Sequence, residues 1–245
     1  MRNIKLTIEY DGKDFNGWQK QPNKLNIQGT IEQAIKMITG EDVELNASGR
    51  TDAGVHAYGQ VANFKTNSQI PIDKFAIAIK TKIKKSIVIK KAEEVDERFH
   101  SRLNCKRKTY RYVINNSPEG TAIYRNLETH IPQKLDVEAM KKAVKYFEGE
   151  HDFKAFKASG TSSKSSVRTI YEAKVYQNGD RIFIELTGNG FLYNMVRIIA
   201  GTLVEVGLGK IEAEKIPDII QSQKRENAGK TLPPNGLYLL QVKYN

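Results

Sequence analysis

The residues best suited to chemistry lie in one short segment, Ala47 to Gln60, which reads ASGRTDAGVHAYGQ. It places an Arg, an Asp and a His among glycines between two predicted strands. A plain hairpin turn needs little more than a Gly with an Asn or Asp. Asp52 therefore has two interpretations. It is a turn residue that hydrogen-bonds its own backbone, or it is a carboxylate nucleophile or base on a loop held by rigid elements.

A second candidate, Arg197, lies in a helix predicted over 191–206. That helix is apolar on nearly all sides, and its polar residues Asn194, Arg197 and Glu205 form one narrow stripe. Glu205 is eight residues from Arg197, about 12 Å along the helix axis, and is a poor partner. The stripe either faces water, or Arg197 is buried and needs an anion. That anion is a phosphate or a carboxylate from another segment, for which Asp52 is a candidate, and such a pair keeps the aspartate ionised.

A third candidate, Tyr110, lies in the sequence KTYRY over 108–112. On a strand, Tyr110 and Tyr112 project from the same face. Their rings either pack within the sheet or, lying among cations, stack on RNA bases. The strand pattern alone leaves both interpretations open.

The charge distribution favours a polyanionic partner. The 245-residue chain has a net charge of +11 and a pI of about 9.5. Cations cluster in KTKIKKSIVIKK over 80–91 and in RLNCKRKTYR over 102–111. These clusters indicate nucleic-acid binding rather than a merely solvated basic surface.

Several kinds of chemistry lack their sequence signals. The single cysteine, Cys105, excludes a disulfide framework and a Cys-based zinc site, and the four histidines are scattered. Phosphate-loop and dinucleotide-binding motifs are missing, so we expect no cofactor and no metal. The most apolar stretch, 191–208, contains an Arg and a Glu and is too short to span a membrane. We therefore expect a cytoplasmic protein without a membrane segment.

Hydrophobic periodicity predicts the same element order, β-α-β-β-α-β, in both halves. In the first half, the strands are 5–10, 41–45, 59–65 and 87–92, and the helices run from Thr30 to Gly40 and over 72–83. In the second half, the strands are 109–114, 170–176, 181–186 and 238–244, and the helices are 136–147, 191–206 and a shorter 213–221. We expect the loop 157–166 to be mobile.

This order predicts an α+β fold of two ferredoxin-like (RRM-like) units with mainly antiparallel sheets. The predicted units are residues 1–104, with the Asp52 loop, and residues 105–245, with the Tyr110 strand and the Arg197 helix. We expect a cleft between them.

The motifs together resemble those of the tRNA pseudouridine synthase A family. The resemblance rests on the following segments, which span most of the chain: Tyr10-Asp11-Gly12 with Gly17-Trp18-Gln19, GRTDAGVHA over 49–57, Phe99-His100-Ser101-Arg102, KTYRY over 108–112, His151-Asp152-Phe153, and Gly188-Asn189-Gly190-Phe191-Leu192 through Met195-Val196-Arg197. The GRTDAGVHA loop is the most specific of them. In the family, the place of Ser101 is more often taken by Ala.

The resemblance implies a cofactor-free isomerisation of uridine to pseudouridine at positions 38, 39 and 40 of the tRNA anticodon stem-loop. It implies that a homodimer acts on a base flipped out of its stack. It implies that Asp52 is the nucleophile, that Tyr110 stacks on the target base, that Arg197 pairs with the nucleophile, and that Arg50 contacts RNA beside the flipped base. The matched motifs add further RNA contacts at His100, Arg102, Lys108 and Leu192.

Two other functions remain compatible with composition and fold. A non-catalytic RNA-binding module of two RRM-like units explains the charge, but not an acid among RNA-facing cations. A different RNA-modifying enzyme could instead use Cys105, whose neighbouring cations favour the thiolate.

Overall fold

The computed structural model describes residues 1–160 and 165–245. The loop predicted to be mobile, 157–166, lies partly outside the described residues. The chain divides into two compact units, residues 1–106 with 238–245, and residues 107–237. The last segment, 238–245, thus belongs to the first unit, whereas the predicted division placed it with the second.

The strands of the described chain are β1 (Arg2–Tyr10), β2 (Asn46–Ala47), β3 (His56–Thr66), β4 (Ile87–Val95), β5 (Arg107–Asn115), β6 (Thr129–His130), β7 (Gly149–Asp152), β8 (Val167–Asn178), β9 (Arg181–Gly188) and β10 (Leu237–Lys243). The α-helices are α1 (Ile27–Thr39), α2 (Ile72–Lys80), α3 (Val137–Lys145), α4 (Met195–Gly207) and α5 (Ile216–Ser222).

In the first unit, the strands lie in the order β4-β1-β3-β10, and β2 pairs with β3. Strand β1 is antiparallel to both of its neighbours, and β10 runs parallel to β3. Alternate residues Ile4, Leu6 and Ile8 of β1 are fully buried. The core continues through Phe64 of β3, whose ring packs edge-on against Phe75 of α2 at 5.9 Å. The alternation of apolar residues in β1 follows from burial of only one strand face.

In the second unit, the strands lie in the order β5-β9-β8-β7, with all three pairs antiparallel, and β6 pairs with β5 in parallel. Tyr112 of β5 lies opposite Ile184 of β9, and both are fully buried. Helix α3 packs against β8 and α4. The predicted α+β class with mostly antiparallel strands is confirmed.

The strand predicted over 41–45 is wrong. Its alternating pattern is typical of a strand, but side chains bind its backbone instead of a neighbouring strand. The amide of Leu45 donates to Oε1 of Glu32 at 3.1 Å, and the carbonyl of Leu45 accepts from Nε2 of Gln28 at 3.5 Å. Only the two-residue β2 pairs with β3 in this region.

The start of α4 also differs from the prediction. The predicted helix begins at Phe191, whereas α4 begins at Met195. Asn194 has a φ of 60°, in the left-handed region, which cannot continue a right-handed helix. The residues 191–194 therefore form a separate bend before the helix.

Other predicted bounds shift by a few residues. Helix α1 begins three residues before Thr30, because the Asn26 side chain caps it by accepting from the amide of Gly29 at 2.8 Å. Its predicted stop at Gly40 is confirmed, with a left-handed φ of 76°. Helix α2 ends at Lys80 rather than Ile83.

In the second unit, the predicted cap of α3 is confirmed, since the Asp136 side chain accepts from the amide of Ala139 at 2.9 Å. The helix ends at Lys145 rather than 147. The hairpin predicted about Asn178-Gly179 is also confirmed, as β8 and β9 meet there. The helix predicted over 213–221 divides into a 3-10 turn over 213–215 and α5. In the described part of the chain, no helix has the length and apolar character needed to cross a membrane.

Candidate active site

Asp52 lies on the loop between β2 and β3 of the first unit and is partly buried. The carbonyl of the preceding residue, Thr51, accepts from the amide of Trp18 at 3.0 Å, and the carbonyl of Asp52 accepts from the amide of Val55 at 3.2 Å. Gly54 completes the turn with a φ of 79°. Peptide groups on both sides of Asp52 are therefore fixed by hydrogen bonds.

Two glycines of the N-terminal motif pack directly against this loop. Gly17 has a φ of 80°, and a Cβ there would lie 2.6 Å from the carbonyl oxygen of Thr51 and 3.0 Å from the carbonyl carbon of Asp52. A Cβ on Gly12 would overlap the carbonyl of Val55. Only a residue without a side chain fits at either position, so these glycines allow the chain to approach the Asp52 loop closely.

Tyr10 fixes the loop from inside the core. Its hydroxyl lies 2.7 Å from Oγ1 of Thr51, and the side chain is 3% exposed. Burial raises the pKa of the Tyr10 hydroxyl well above its ordinary value. The group therefore stays neutral and keeps its proton for hydrogen bonding.

Gln60 of β3 holds the other arm of the loop. Its Oε1 accepts from the hydroxyl of Ser48 at 2.7 Å, and its Nε2 donates to the carbonyl of Gly49 at 3.0 Å. Gly49 directly precedes Arg50, whose side chain is exposed. The backbone at Arg50 is thus positioned by a fully buried amide side chain.

His56 is 2% exposed at the start of β3. Its Nδ1 accepts from the amide of Gly12 at 3.1 Å and lies 3.1 Å from Oδ1 of Asp11. The imidazole also stacks on Tyr238 of β10, with ring centroids 4.8 Å apart. These contacts tie His56 to the segment that packs against the Asp52 loop, a supporting position.

In the second unit, Tyr110 of β5 is 9% exposed and meets the ring of Phe191 edge-on at 5.2 Å. Lys108 precedes it on the same strand face. Tyr112 has a different environment, because its fully buried hydroxyl donates to the carbonyl of Pro233 at 2.6 Å and lies 2.6 Å from Oγ1 of Thr129. Of the two tyrosines, Tyr112 is committed to packing.

Arg197 lies in the first turn of α4 and is partly buried. Its Nε donates to the carbonyl of Leu232 at 2.6 Å, and its Nη1 donates to Oδ1 of Asn194 at 2.7 Å. The left-handed backbone of Asn194 thus places that side chain as an acceptor for the guanidinium. Leu192, in the bend before α4, is 5% exposed. The head group of Arg197 is bound by protein on at least two sides, in contrast to a stripe that simply faces water.

The segment Phe99-His100-Ser101-Arg102 forms a turn against the sheet of the first unit. Nδ1 of His100 accepts from the amide of Arg102 at 3.1 Å, and the amide of His100 donates to Oδ1 of Asn104 at 2.7 Å. The carbonyl of Phe99 accepts from the side-chain amide of Asn3 at 2.9 Å. His100 therefore stabilises its own turn, while the Arg102 side chain is exposed.

The predicted site residues thus form three groups. Asp52 and Arg50 share one loop of the first unit, and His100 and Arg102 share a turn of the same unit. Lys108, Tyr110, Leu192 and Arg197 belong to the second unit, on β5 and at the start of α4. Within the described residues, no group of three or more His, Cys, Asp or Glu side chains lies together as a metal site.

Four residues that hold the Asp52 loop were not predicted to have this role, namely Tyr10, Gly12, Gly17 and Gln60. For Tyr10, Gly12 and Gly17 the available signal was the pair of short motifs Tyr10-Asp11-Gly12 and Gly17-Trp18-Gln19, each of which has one aromatic residue close to a glycine. Aromatic anchors beside glycines indicate a backbone packed closely against another segment.

The α+β fold with a mostly antiparallel sheet is consistent with that of a pseudouridine synthase, and the chain belongs to the tRNA pseudouridine synthase family. The family model matches residues 6–104 and 143–245. The chain is therefore an enzyme of the isomerase class, which disfavours a non-catalytic RNA-binding module.

The particular relatives are similar over their full lengths. The chain is 54% identical over 244 residues to tRNA pseudouridine synthase A of Acetivibrio thermocellus, covering 100% of both chains. It is 54% identical over 245 residues to the protein of the same name from Ruminiclostridium cellulolyticum, and 53% identical over 244 residues to that from Caldicellulosiruptor bescii, again with 100% of each chain covered.

Proposed function

We propose that this enzyme converts uridine to pseudouridine in tRNA, with the carboxylate of Asp52 as the nucleophile. The observation that carries the proposal is the fixed backbone on both sides of Asp52. A hydrogen-bonded turn, a buried tyrosine and a closely packed glycine determine where its side chain begins. Such preorganisation is what a nucleophile on a loop requires. The full-length relatives named tRNA pseudouridine synthase A support tRNA as the substrate.

The reaction breaks the bond from C1′ of the ribose to N1 of uracil and forms a bond from C1′ to C5. A proton leaves C5 and N1 gains one, so the reaction is redox-neutral and its product is an isomer of the substrate. An ionised Asp52 attacks either the uracil ring or the ribose, and both routes need the same carboxylate. A base paired within a stem must first leave its stack to reach a side chain.

The other roles follow the family resemblance. In the proposal, the target uridines lie at positions 38, 39 and 40 of the anticodon stem-loop, and Arg50 contacts RNA beside the flipped base. Tyr110 stacks on that base, and the guanidinium of Arg197 pairs with the nucleophile. His100, Arg102, Lys108 and Leu192 remain predicted RNA contacts, and assembly as a homodimer remains a prediction.

The first experiment is Asp52→Asn, which removes the charge and keeps the shape. We expect loss of pseudouridine formation, measured on unmodified tRNA, with a tRNA Kd within about threefold of the parent. Asp14→Asn is the matched control, because Asp14 is an exposed aspartate of the same unit. It should retain full activity. An active Asp52→Asn enzyme would overturn the proposal.

The second experiment separates the two roles open to Tyr110. Tyr110→Phe keeps the ring for stacking and removes the hydroxyl. If stacking is its main role, the variant keeps most of its activity, while Tyr110→Ala loses it. Base stacking on an aromatic ring contributes about 1–3 kcal/mol. Equal loss in both variants would instead assign the function to the hydroxyl.

The target positions are tested with tRNAs that carry a single uridine at position 38, 39 or 40. Each should be modified at that position, as read by chemical mapping of pseudouridine. A tRNA without uridine at these three positions should stay unmodified. Product at a position outside the anticodon stem-loop would contradict the proposed target.

A further inference from the structure

The lysine-rich segment 80–91 divides into two groups with different partners. Lys90 and Lys91, on β4, form ion pairs with Glu9 at 2.9 Å and Glu93 at 2.7 Å. Among the described residues, no carboxylate pairs with any lysine of the first group, which consists of Lys80, Lys82, Lys84 and Lys85. Sequence alone does not separate these two groups.

Two lysines of the first group, Lys82 and Lys84, line a groove of about 350 Å³ at the start of α1, and Lys24 lines it from another segment. The rest of the lining is neutral and includes Asn26 and Thr30. Three lysines therefore line a groove whose lining includes no carboxylate. This arrangement favours an anionic partner, because the positive charges of the three lysines repel one another unless an anion binds between them.

The backbone holds these lysines in place. The amide of Lys82 donates to the carbonyl of Ile79 at 2.9 Å, and the carbonyl of Lys84 accepts from the amide of Ile87 at 3.0 Å. The carbonyl of Lys24 accepts from the side-chain amide of Asn26 at 2.6 Å. The groove is thus built on turns anchored to the ends of α1, α2 and β4.

The groove borders the segment that packs against the Asp52 loop. Leu25, beside Lys24, accepts from the amide of Asn16 at 2.8 Å, and the amide of Ile27 donates to the carbonyl of Gly17 at 3.2 Å. Gly17 in turn packs against the backbone of Asp52. The groove and the Asp52 loop are therefore connected through one short segment, 16–18.

A second connection runs from the other lysine-bearing turn. Ser86 follows Lys84 and Lys85, and its carbonyl accepts from the amide of Asp11 at 2.9 Å. The next residue, Gly12, packs against Val55 on the loop. Both walls of the groove are thus joined to the Asp52 loop through the first unit alone.

We propose that the groove formed by Lys24, Lys82 and Lys84 binds backbone phosphates of the tRNA next to the nucleotide that the Asp52 loop receives. RNA carries one negative charge per nucleotide. The nucleotides on either side of a flipped base therefore present their phosphates to the adjoining protein surface. Lysine is a point charge that tolerates varied phosphate geometry, and such contacts fix position without reading sequence. The inference rests on tRNA as the proposed substrate and on the Asp52 loop as the place where the target nucleotide binds, but it does not require Asp52 to be the nucleophile.

The experiment compares two double variants with the same change of charge. Lys82→Gln with Lys84→Gln removes two groove lysines, whereas Lys90→Gln with Lys91→Gln removes two ion-paired ones. The Kd for unmodified tRNA is measured from 50 to 200 mM salt. Each lost phosphate contact lowers the slope of log Kd against log salt by about 0.9. We expect a decrease of about 1.8 in the groove variant and less than about 0.5 in the control.

Activity gives an independent readout. The groove variant should show a raised KM for tRNA, about tenfold at 100 mM salt, and an unchanged kcat, because the groove contacts backbone phosphates and not the reacting base. Equal salt slopes in the two variants would overturn the inference and assign the lysines to a solvated face. The slopes are also measured with Asp52→Asn as the parent. The salt-slope measurement needs only tRNA binding, so it stays valid even if Asp52 is not the nucleophile.

Discussion

The hydroxyl of Tyr10 lies 2.7 Å from Oγ1 of Thr51, the residue that directly precedes Asp52. Because both side chains are buried, this bond fixes the loop from the core side, while Trp18 fixes the carbonyl of the same threonine. Small displacements of a reacting group cost large factors in rate, since the reacting atoms must meet in a narrow range of geometry.

Tyr10→Phe is therefore expected to lower kcat about tenfold or more with little change in KM for tRNA. The variant keeps the ring and removes only the hydroxyl. Its stability should fall by about 1 kcal/mol, the usual net value of one hydrogen bond. Tyr244→Phe is the control, because Tyr244 of the same unit donates its hydroxyl to the carbonyl of Ser101 at 2.9 Å. It should lose similar stability and keep its kcat.

A second prediction concerns Gly17, whose φ of 80° and contact with the Asp52 backbone leave no room for a Cβ. Gly17→Ala should destabilise the protein by about 2–4 kcal/mol, combining left-handed strain with displacement of the loop. Activity should be lost even where the variant remains folded. Circular dichroism during urea unfolding and a single-turnover assay measure the two effects separately.

Gly40 is the matched control for this substitution. It has a similar φ of 76°, but a Cβ there meets nothing within 4 Å. Gly40→Ala should therefore cost only the backbone strain, about 1–2 kcal/mol, and leave activity unchanged. If both variants lost activity to the same degree, close approach to the Asp52 loop would not explain why position 17 requires glycine.

Local signals in the sequence were sufficient for most element positions. The stop of α1 at Gly40 and the cap of α3 at Asp136 were predicted because both depend on neighbouring residues alone. The strand predicted over 41–45 failed because a side chain from α1, Glu32, binds its backbone. The start of α4 was misplaced because the apolar pattern continues through Asn194, although its backbone is left-handed.

The candidate site could likewise be predicted only where its features depend on neighbouring residues in the sequence. From residue types alone, Asp52 was either a turn residue or a nucleophile, and the family resemblance is what favours the nucleophile. The residues that position it, Tyr10, Gly12 and Gly17, lie about forty positions earlier, and no periodic pattern relates the two segments. Their role depends on a close approach in three dimensions. The glycines and aromatic residues indicate that the backbone packs closely, but not which segment it packs against.

A third prediction concerns Ser101. Among the described residues, its hydroxyl is the one buried side-chain polar group without a hydrogen-bond partner. Burying such a group costs about 1–3 kcal/mol. Ser101→Ala should therefore raise the free energy of unfolding by about 1 kcal/mol, measured by urea denaturation. The resemblance to a family that more often has Ala at this place agrees with this expectation.

Ser48→Ala provides the contrast, because Ser48 is equally buried and donates to Oε1 of Gln60 at 2.7 Å. This variant should lose about 1 kcal/mol, since the bond is removed and the buried amide loses a donor. The two Ser-to-Ala changes should thus shift stability in opposite directions. A loss in both would show that the Ser101 hydroxyl contributes favourably to the fold.

The fourth prediction is a fall of stability at alkaline pH. Burial raises the pKa of both Tyr10 and Tyr112, because the charged phenolate is poorly solvated in the core. In the unfolded chain both hydroxyls ionise near pH 10. Above that pH the unfolded state binds fewer protons than the folded state, so stability decreases as pH rises. Below it, both states are protonated and the contribution is constant.

The two tyrosines together should lower the free energy of unfolding by about 2.7 kcal/mol per pH unit above pH 10. Tyr112→Phe removes one ionising group from the unfolded state, so its slope above pH 10 should be shallower by about 1.4 kcal/mol per pH unit. The variant is less stable at neutral pH, since the carbonyl of Pro233 loses its 2.6 Å hydrogen bond. The two stability curves should therefore converge as pH rises from 9 to 11. Parallel curves would mean that Tyr112 ionises alike in the folded and unfolded states, contrary to its burial.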